Sequence, residues 1–333
     1  MAFLTCGGAV ITFNGLRYLP QQLDSILAQT RMLSHLVISD DKSTDGTWEY
    51  LETWAKQAPF RVTLIRNERQ LGLVANYQQA VSAVEADIIF SADQDDVWLP
   101  EKVDVQAAIL EQSPDVLLVH SDAILIDGSG NDLGKTLFDA VGIRHVETAA
   151  VHSGKGFAIY CRRNLVTGAT CAFRRNLLDL ALPMGDHTYH DHWLALVAAV
   201  TGKIRMLELP TIRYRLHGAN MVGVDPHKSS YTLLMRMRQF YWDLNSKTPL
   251  SFKVNRNLER HSVLYTRLSE LPQVPSSHLK TARKALKFAK RRATMPANPV
   301  ARAAIVTSNM IAGRYYRLQE KPWVELIRDI LQR

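Results

Sequence analysis

The stretch ADIIFSADQDDVWLP (residues 86–100) joins an apolar run directly to a cluster of acidic residues. Its first half has the composition of a buried strand, and its second half places Asp93, Asp95 and Asp96 within four positions. Carboxylates this close repel one another unless a cation compensates them. Two carboxylates two residues apart can hold Mg²⁺ or Mn²⁺ and leave positions open for water and phosphates. The stretch therefore predicts a strand that ends at a metal site or, alternatively, at a solvated acidic turn.

Strand and helix patterns alternate through the first 120 residues. The segments with strand character are GAVITFN, HLVIS, RVTLIRN, DIIFSA and DVLLVHSDAILID, and helical spacing lies between them. This alternation predicts an α/β fold with a mixed, mostly parallel sheet flanked by helices. Residues 126–165 predict a long loop region with short elements. Beyond it we expect a strand at GATCAF, a helix at HDHWLALVAAVTG, and two strands at KIRMLEL and IRYRL.

The charge distribution divides the chain into two parts. The 333 residues carry a net charge of +8, but residues 226–333 alone hold 21 Lys and Arg against 6 Asp and Glu. We therefore expect an α/β domain at 1–225 and a basic helical region at 226–333. A basic region favours an anionic partner. The three cysteines match no metal-binding spacing, and there is neither a signal-peptide pattern nor an apolar run of 18 residues, so we expect a cytoplasmic protein.

Polar residues follow the first two predicted strands. Thr12 and Asn14 end the first, and Asp40 and Asp41 end the second. Because the carboxyl ends of parallel strands meet at one edge of a sheet, these side chains could bind the base and ribose of a nucleotide. A turn with a helix cap is the alternative interpretation.

Two further positions have side chains suited to catalysis or metal binding. Asp191 opens a predicted helix, where a carboxylate could cap the helix or act as a general base. His217 follows a predicted strand, where an imidazole could complete a metal site or serve a structural role.

Five motifs occur in the order found in family 2 glycosyltransferases. They are ITFNGLRYLPQQLDSILAQT, SDDKSTDGT, ADQDDVWLPEKV, HDHWLALVAAVTGKI and YRLHGANMVG. Over about residues 8–225 the chain resembles the rhamnosyltransferase-like branch that builds bacterial surface polysaccharides such as O-antigen or capsule. The resemblance implies a GT-A fold, a nucleoside-diphosphate sugar donor, a divalent cation (Mg²⁺ or Mn²⁺) and inversion at the anomeric carbon. One departure is Lys42, where the branch usually has glycine.

The resemblance also implies roles for individual residues. Thr12, Asn14 and Asp41 fall where the family contacts the nucleotide, with Asp40 beside them in the same predicted nucleotide-binding set. Asp93 and Asp95 fall on its Asp-x-Asp signature, which binds the nucleotide sugar and the metal, with Asp95 as the direct metal ligand. Asp191 falls on the catalytic base, and His217 on a histidine that joins the metal or the diphosphate in some members. The branch suggests dTDP-L-rhamnose as the donor, with UDP-sugars as alternative donors. It suggests a saccharide or lipid-linked saccharide as the acceptor.

Two other functions compete with this prediction. A metal-dependent sugar nucleotidyltransferase also binds nucleotides with carboxylates, but such enzymes usually carry a Gly-rich basic loop after the first strand, where this chain has only Arg17. The basic segment KTARKALKFAKRRA could serve a nucleic-acid-binding protein, yet no motif for reading nucleic acid accompanies it. A solvated basic face is the other alternative for this segment. Because the resemblance implies an acceptor that can be lipid-linked, we expect an anionic membrane surface and no nucleic acid as its partner, and a peripheral location at the inner face of the cytoplasmic membrane.

Overall fold

The computed structural model describes residues 3–185, 188–217, 250–271 and 274–331. The chain divides into two compact units, Met1–Gly156 with Leu165–Ser229 and Phe157–Asn164 with Ser230–Arg333. The boundary predicted between residues 225 and 226 lies outside the described residues. So does the part of the fifth motif that follows His217.

The first unit is built on a sheet whose strand order is β3-β2-β1-β4-β8-β6-β9-β5, with β7 paired to β6. The strands are β1 (Cys6–Thr12), β2 (His35–Asp40), β3 (Arg61–Arg66), β4 (Ile88–Ala92), β5 (Val97–Trp98), β6 (Val116–Ile126), β7 (Asp132–Thr136), β8 (Cys171–Arg174) and β9 (Lys203–Arg215). Strands β1 to β4 are parallel, so their carboxyl ends lie at one edge. Strand β8 runs antiparallel between β4 and β6, which makes the sheet mixed.

Helices follow most of the strands, as the alternating pattern predicts. They are α1 (Leu19–Leu27), α2 (Thr47–Ala55), α3 (Leu73–Ala83), α4 (Lys102–Gln112), α5 (Leu137–Val141), α6 (His145–His152), α7 (Phe157–Arg162), α8 (Leu177–Ala181) and α9 (His190–Thr201). Helix α1 shows why the predicted and observed helices agree. Leu19, Leu23 and Ile26 recur at helical spacing in the sequence and are all buried in the structure. The predicted mixed α/β fold is confirmed.

One pair of predicted strands was wrong in detail. KIRMLEL and IRYRL are not two strands but the single strand β9, which lies parallel to β6. Pro210 separates the two segments in sequence and lacks the N–H that a continuous ladder needs. The register between β6 and β9 shifts beside it, at Ser121, Asp122 and Ala123, and this irregularity lets the strand continue through the proline.

The second unit is helical. Besides α7 it contains α10 (Leu250–Glu270), α11 (Ser276–Ala293), α12 (Pro299–Ile311), α13 (Arg314–Leu318) and α14 (Pro322–Leu331). Phe288, Val306, Tyr315 and Leu326, from four of these helices, form its apolar cluster. The predicted helix at LLMRMRQFYWDL lies outside the described residues. Among the helices that are described, none is both long and apolar enough to cross a bilayer.

Candidate active site

The acidic cluster occupies the turn between β4 and β5. Strand β4 is buried throughout and delivers Asp93 to the carboxyl edge of the sheet. Asp93 and Asp95 are partly buried, whereas Asp96 is only 1% exposed. Burial, followed by the charges of Asp95 and Asp191, raises the pKa of Asp93 to about 7. The turn therefore concentrates negative charge, which a cation would relieve.

Asp95 is paired with His217. The Nε2 atom of His217 lies 2.7 Å from Asp95 Oδ2, although the two residues are 122 positions apart in sequence. His217 follows the end of β9, and its ring also packs against Tyr18 with centroids 5.0 Å apart. The structure thus brings together the two residues that the resemblance places at the metal.

Asp96 has a different environment from its neighbours. Its Oδ1 accepts a hydrogen bond from the backbone N–H of Arg215 at 2.9 Å, and its Oδ2 has no hydrogen-bond partner among the described residues. Burial and the charges of Asp95 and Asp93 raise its pKa well above the usual range. Asp96 therefore joins the turn to β9 inside the protein, and the three carboxylates do not share one role.

Thr12 and Asp40 hold the ends of β1 and β2 together. The Thr12 hydroxyl donates to Asp40 Oδ1 at 2.8 Å, and the backbone N–H of Ser43 donates to Asp40 Oδ2 at 2.9 Å. Both predicted nucleotide-binding residues are buried. Asn14 is exposed, and its side-chain oxygen accepts from the Thr44 N–H at 2.8 Å. These contacts build the edge on which a nucleotide could lie, and of the three only Asn14 reaches solvent.

Asp41 organises the loop that precedes α3. Its carboxylate accepts from the Asn67 side chain at 2.9 Å, the Leu71 N–H at 2.7 Å and the Gly72 N–H at 2.9 Å. Gly72 is the N-cap residue of α3, directly before Leu73. Most of the hydrogen-bonding capacity of Asp41 is therefore directed inward, at a position that we predicted to contact the nucleotide.

Gln94 is a site residue that the sequence did not reveal. Its side-chain oxygen accepts from the Phe13 N–H at 2.8 Å, and its side-chain nitrogen donates to the Phe13 carbonyl at 3.1 Å. A Cβ atom on Gly15 would lie 2.1 Å from the same side chain. The pair of hydrogen bonds joins the end of β1 to the turn that holds Asp93 and Asp95. No pattern in the sequence signals it, because glutamine in a polar turn is common.

Asp191 lies in the first turn of α9, and its Oδ1 accepts from the N–H of His192 at 2.6 Å. The neighbouring His190 stacks on Tyr77 with centroids 3.8 Å apart. Tyr77 in turn forms a 2.6 Å hydrogen bond with Ser91 of β4. These contacts place the start of α9 against the strand that carries the acidic turn. The effect of Asp191 on the pKa of Asp93 follows from that proximity.

The donor set suits a hard divalent cation. Carboxylate oxygens with one imidazole are ligands that Mg²⁺ or Mn²⁺ accepts, and such a cation would oppose the burial and the neighbouring carboxylates that raise the pKa of Asp93. Within the described residues, no group of three or more His, Cys, Asp or Glu side chains is arranged to hold a metal ion. Such a cation would therefore take further ligands from water and a bound diphosphate, which is the usual pattern for Mg²⁺.

Comparison with protein families and known sequences identifies relatives. The family model described as "Glycosyl transferase family 2" matches residues 9–179. An uncharacterized glycosyltransferase of Nostoc sp. is 26% identical over 215 residues, which are 63% of this chain and 64% of that protein. The abequosyltransferase RfbV of Salmonella typhimurium is 29% identical over 109 residues, 32% of this chain and 33% of that protein. The alignments thus span less than two thirds of either relative.

Solved structures share the fold. TarS 1–349 of S. aureus in complex with UDP-GlcNAc matches with a TM-score of 0.56 and 15% identity, over 98% of this chain and 90% of that one. The mannosyltransferase PcManGT of Pyrobaculum calidifontis, in complex with GDP-Man and Mn²⁺, matches with a TM-score of 0.52 and 17% identity, over 100% of this chain and 86% of that one. At these identities the likeness concerns the fold, which is GT-A.

Proposed function

The chain belongs to glycosyltransferase family 2, and from that premise we propose that it transfers a sugar from a nucleoside diphosphate to a saccharide acceptor, with inversion, in bacterial surface-polysaccharide synthesis. The observation that carries this proposal is the convergence of Asp93, Asp95, Asp191 and His217 at one edge of the sheet. RfbV, an abequosyltransferase by name, supports a role in sugar transfer.

In this proposal Asp95, with Asp93 and His217 beside it, would bind a divalent cation whose remaining ligands come from water and the diphosphate. The cation supplies charge that stabilises the departing diphosphate. PcManGT, whose structure contains Mn²⁺, supports the assignment. Asn14 and the loop held by Asp41 form the side of the site that would contact the nucleoside, while Thr12 and Asp40 support it from within.

Asp191 acts as the general base. It removes the proton from the acceptor hydroxyl while that oxygen forms a bond to the anomeric carbon. The bond from this carbon to the diphosphate oxygen breaks on the opposite face, and its electron pair leaves with the diphosphate. Asp191 lies in the first turn of α9, and its carboxylate oxygens have the lone pairs that accept this proton.

We expect Asp191→Asn to retain donor binding and to lower kcat by about 10²–10⁴-fold, the usual contribution of a general base. Asp179→Asn is the matched control, because Asp179 also lies in the first turn of a helix but is exposed on α8. Steady-state kinetics and thermal protection by the donor measure the two effects separately. Near-normal turnover by Asp191→Asn would remove this residue from the mechanism.

The preferred donor is dTDP-L-rhamnose, on the ground of the branch that the motifs resemble. UDP- and GDP-sugars are competitors, since the structural neighbours contain UDP-GlcNAc and GDP-Man. A panel of nucleotide sugars, with and without Mn²⁺, can be screened for protection against thermal unfolding. A donor at 100 times its dissociation constant adds about 2.7 kcal/mol to the free energy of unfolding. Release of pyrophosphate from a nucleoside triphosphate and a sugar phosphate, without sugar transfer, would instead indicate a nucleotidyltransferase.

A lipid-linked acceptor would require the protein to reach a membrane surface, and the second unit has suitable side chains. One face of α11 exposes six cations that form no ion pair within the described residues: Lys280, Arg283, Lys284, Lys287, Lys290 and Arg291. Val300 and Ile311 of α12 and Trp323 of α14 are 80%, 79% and 64% exposed. Basic and apolar groups together favour an anionic bilayer, at about 1 kcal/mol per charge.

Co-sedimentation with anionic and neutral vesicles tests this location. We expect binding only to anionic vesicles, weakened at least tenfold by Lys284→Glu with Lys287→Glu and unchanged by Lys56→Glu with Lys155→Glu in the first unit. Displacement from vesicles by RNA at equal charge concentration would favour the nucleic-acid alternative.

A further inference from the structure

Two side chains at and just after the end of β9 contact Asp95, one at its carboxylate and one at its backbone carbonyl. His217 Nε2 lies 2.7 Å from the Asp95 carboxylate, and Arg215 Nε donates to the Asp95 backbone carbonyl at 2.7 Å. Side chains two positions apart in an extended chain point to the same side. The hydrogen bond from Leu216 N–H to the Ile126 carbonyl keeps the chain extended beside β6 as far as His217. The end of β9 therefore contacts both the backbone and the side chain of one residue.

Arg215 is only 2% exposed and uses its donors in several directions. Its Nη2 donates to Gln21 Oε1 at 2.5 Å, and its Nη1 lies 3.4 Å from the Asp127 carbonyl. Its backbone N–H donates to Asp96 Oδ1 at 2.9 Å. A planar guanidinium presents its N–H groups in a fixed fork, so these partners define one orientation of the side chain. Arg215 thus connects α1, the acidic turn and the end of β6.

Tyr18 completes this arrangement from the start of α1. The Cζ atom of Arg215 lies 4.7 Å from the centroid of the Tyr18 ring, and the His217 ring lies 5.0 Å from it. A cation over an aromatic face is attracted to it, and more strongly where water is excluded. A Cβ atom on Gly128 would lie 3.3 Å from the Tyr18 hydroxyl, so the ring is enclosed from that side as well. One aromatic ring therefore orients both side chains that hold Asp95.

We propose that Arg215, oriented by Tyr18, is a positioning residue that sets the Asp95 carboxylate for the divalent cation. This inference rests on the proposed function, because it assigns Asp95 to the metal. Groups that orient a metal ligand typically change metal affinity 10–100-fold when they are removed. Arg215 also places a positive charge beside the acidic turn, where it counters the charge of Asp96. A lysine could replace its charge but not the fork of donors.

The test compares Arg215→Lys with Arg213→Lys. Arg213 lies on the same strand and donates to the Gly130 carbonyl at 3.2 Å, away from Asp95. We expect Arg215→Lys to weaken Mn²⁺ binding 10–100-fold, measured by electron paramagnetic resonance with nucleoside diphosphate present. Affinity for the nucleoside alone should change less than twofold. General destabilisation would instead weaken the binding of both Mn²⁺ and the nucleoside. Arg213→Lys should leave both affinities unchanged.

Hydrogen exchange separates failure of this inference from failure of the proposed function. In Arg215→Lys we expect faster amide exchange at residues 94–97 than in the wild-type protein, whether or not metal binds. If the wild-type protein binds no Mn²⁺, the metal assignment fails, and exchange alone decides whether Arg215 orders the turn. If Arg215→Lys does not fold, Tyr18→Leu replaces it and should show the same changes. Wild-type Mn²⁺ affinity and wild-type exchange in a folded variant would overturn the inference.

Discussion

Lys42 illustrates how a single residue can depart from its expected type without losing the turn. It adopts a left-handed backbone with φ of 65°, at the position where the family usually has glycine. An L-residue with a side chain pays roughly 1–2 kcal/mol for this conformation. The surrounding contacts retain it, since Ser43 and Asp41 on either side are both fixed by hydrogen bonds. Lysine in place of glycine at position 42 therefore changes the stability of the turn rather than the path of its backbone.

Lys102 gives a pH-dependent prediction at the same scale. It is fully buried, donates to Gln106 at 3.0 Å, and lies over the Trp98 ring. Burial lowers its pKa to about 7, and the neighbouring Cys171 and Asp96 oppose this shift only in part. Between about pH 7 and pH 10 the unfolded chain keeps the proton that the folded protein has lost. The free energy of unfolding should therefore rise with pH by about 1.4 kcal/mol per unit in this window.

Denaturant unfolding of the wild type and Lys102→Met from pH 6 to 10 measures this contribution. The stability of the wild type relative to the variant should increase over that range. Lys155→Met, which alters an exposed lysine, should show no such trend. A pH-independent difference between the wild type and Lys102→Met would show that Lys102 keeps its ordinary pKa.

At the scale of elements, α9 is positioned by contacts that its own sequence does not contain. Tyr77 of α3 stacks on His190 and bonds to Ser91 of β4, and Asp191 follows directly after His190. A Cβ atom on Gly168 would lie 2.7 Å from His190 Nε2, so glycine is needed for α9 to approach. The position of Asp191, the proposed base, therefore depends on α3, β4 and the turn before β8.

We expect Tyr77→Leu to lower kcat on the order of 10²-fold through misplacement of Asp191, while donor affinity stays near that of the wild type. Tyr77→Phe is the matched variant, because it keeps the ring and loses only the hydroxyl. It should cost about 1–3 kcal/mol of stability, since Ser91 loses a buried partner, with little change in kcat. Equal kcat values for the two variants would argue against positioning by the ring.

At the scale of the whole molecule, the second unit has a polar centre of its own. Arg292 of α11 is 5% exposed and donates to both oxygens of Asp329 at 2.7 Å and to Glu325 at 2.6 Å. Tyr315 donates to the same Asp329 at 2.5 Å. A buried ion pair of this kind adds little net stability, yet loss of one partner leaves a charge buried and uncompensated. The pair therefore fixes how α11 and α14 pack.

Arg292→Met should reduce the stability of the second unit by about 3–5 kcal/mol. In calorimetry we expect one transition to move to lower temperature, while the transition that nucleotide sugar stabilises stays in place. Arg291→Met, an exposed neighbour on the same helix, serves as the control and should move neither. A common shift of all the unfolding signal would show that the two units unfold together.

The alternation of β1 to β4 and β6 with α1 to α4, and the acidic turn after β4, could be predicted from the sequence by itself, whereas β5, β7 and the continuity of β9 could not. Burial of one helix face or of a whole strand leaves a local periodicity, as in α1 and β4, and motifs of a few residues are local as well. These features also led to Asp93, Asp95, Asp191 and His217, which the structure brings together.

Only the tertiary structure decided how each polar group is used. Asp40 and Asp41 look alike in sequence, yet one joins β1 to β2 and the other holds the loop before α3. Arg215 holds Asp95 across 120 positions, and Gln94 joins Phe13 across 81. A hydrogen bond requires a partner within about 3 Å, and which groups meet at that distance depends on strand order and register. Strand order and register arise only when the sheet assembles, so no local sequence pattern contains them.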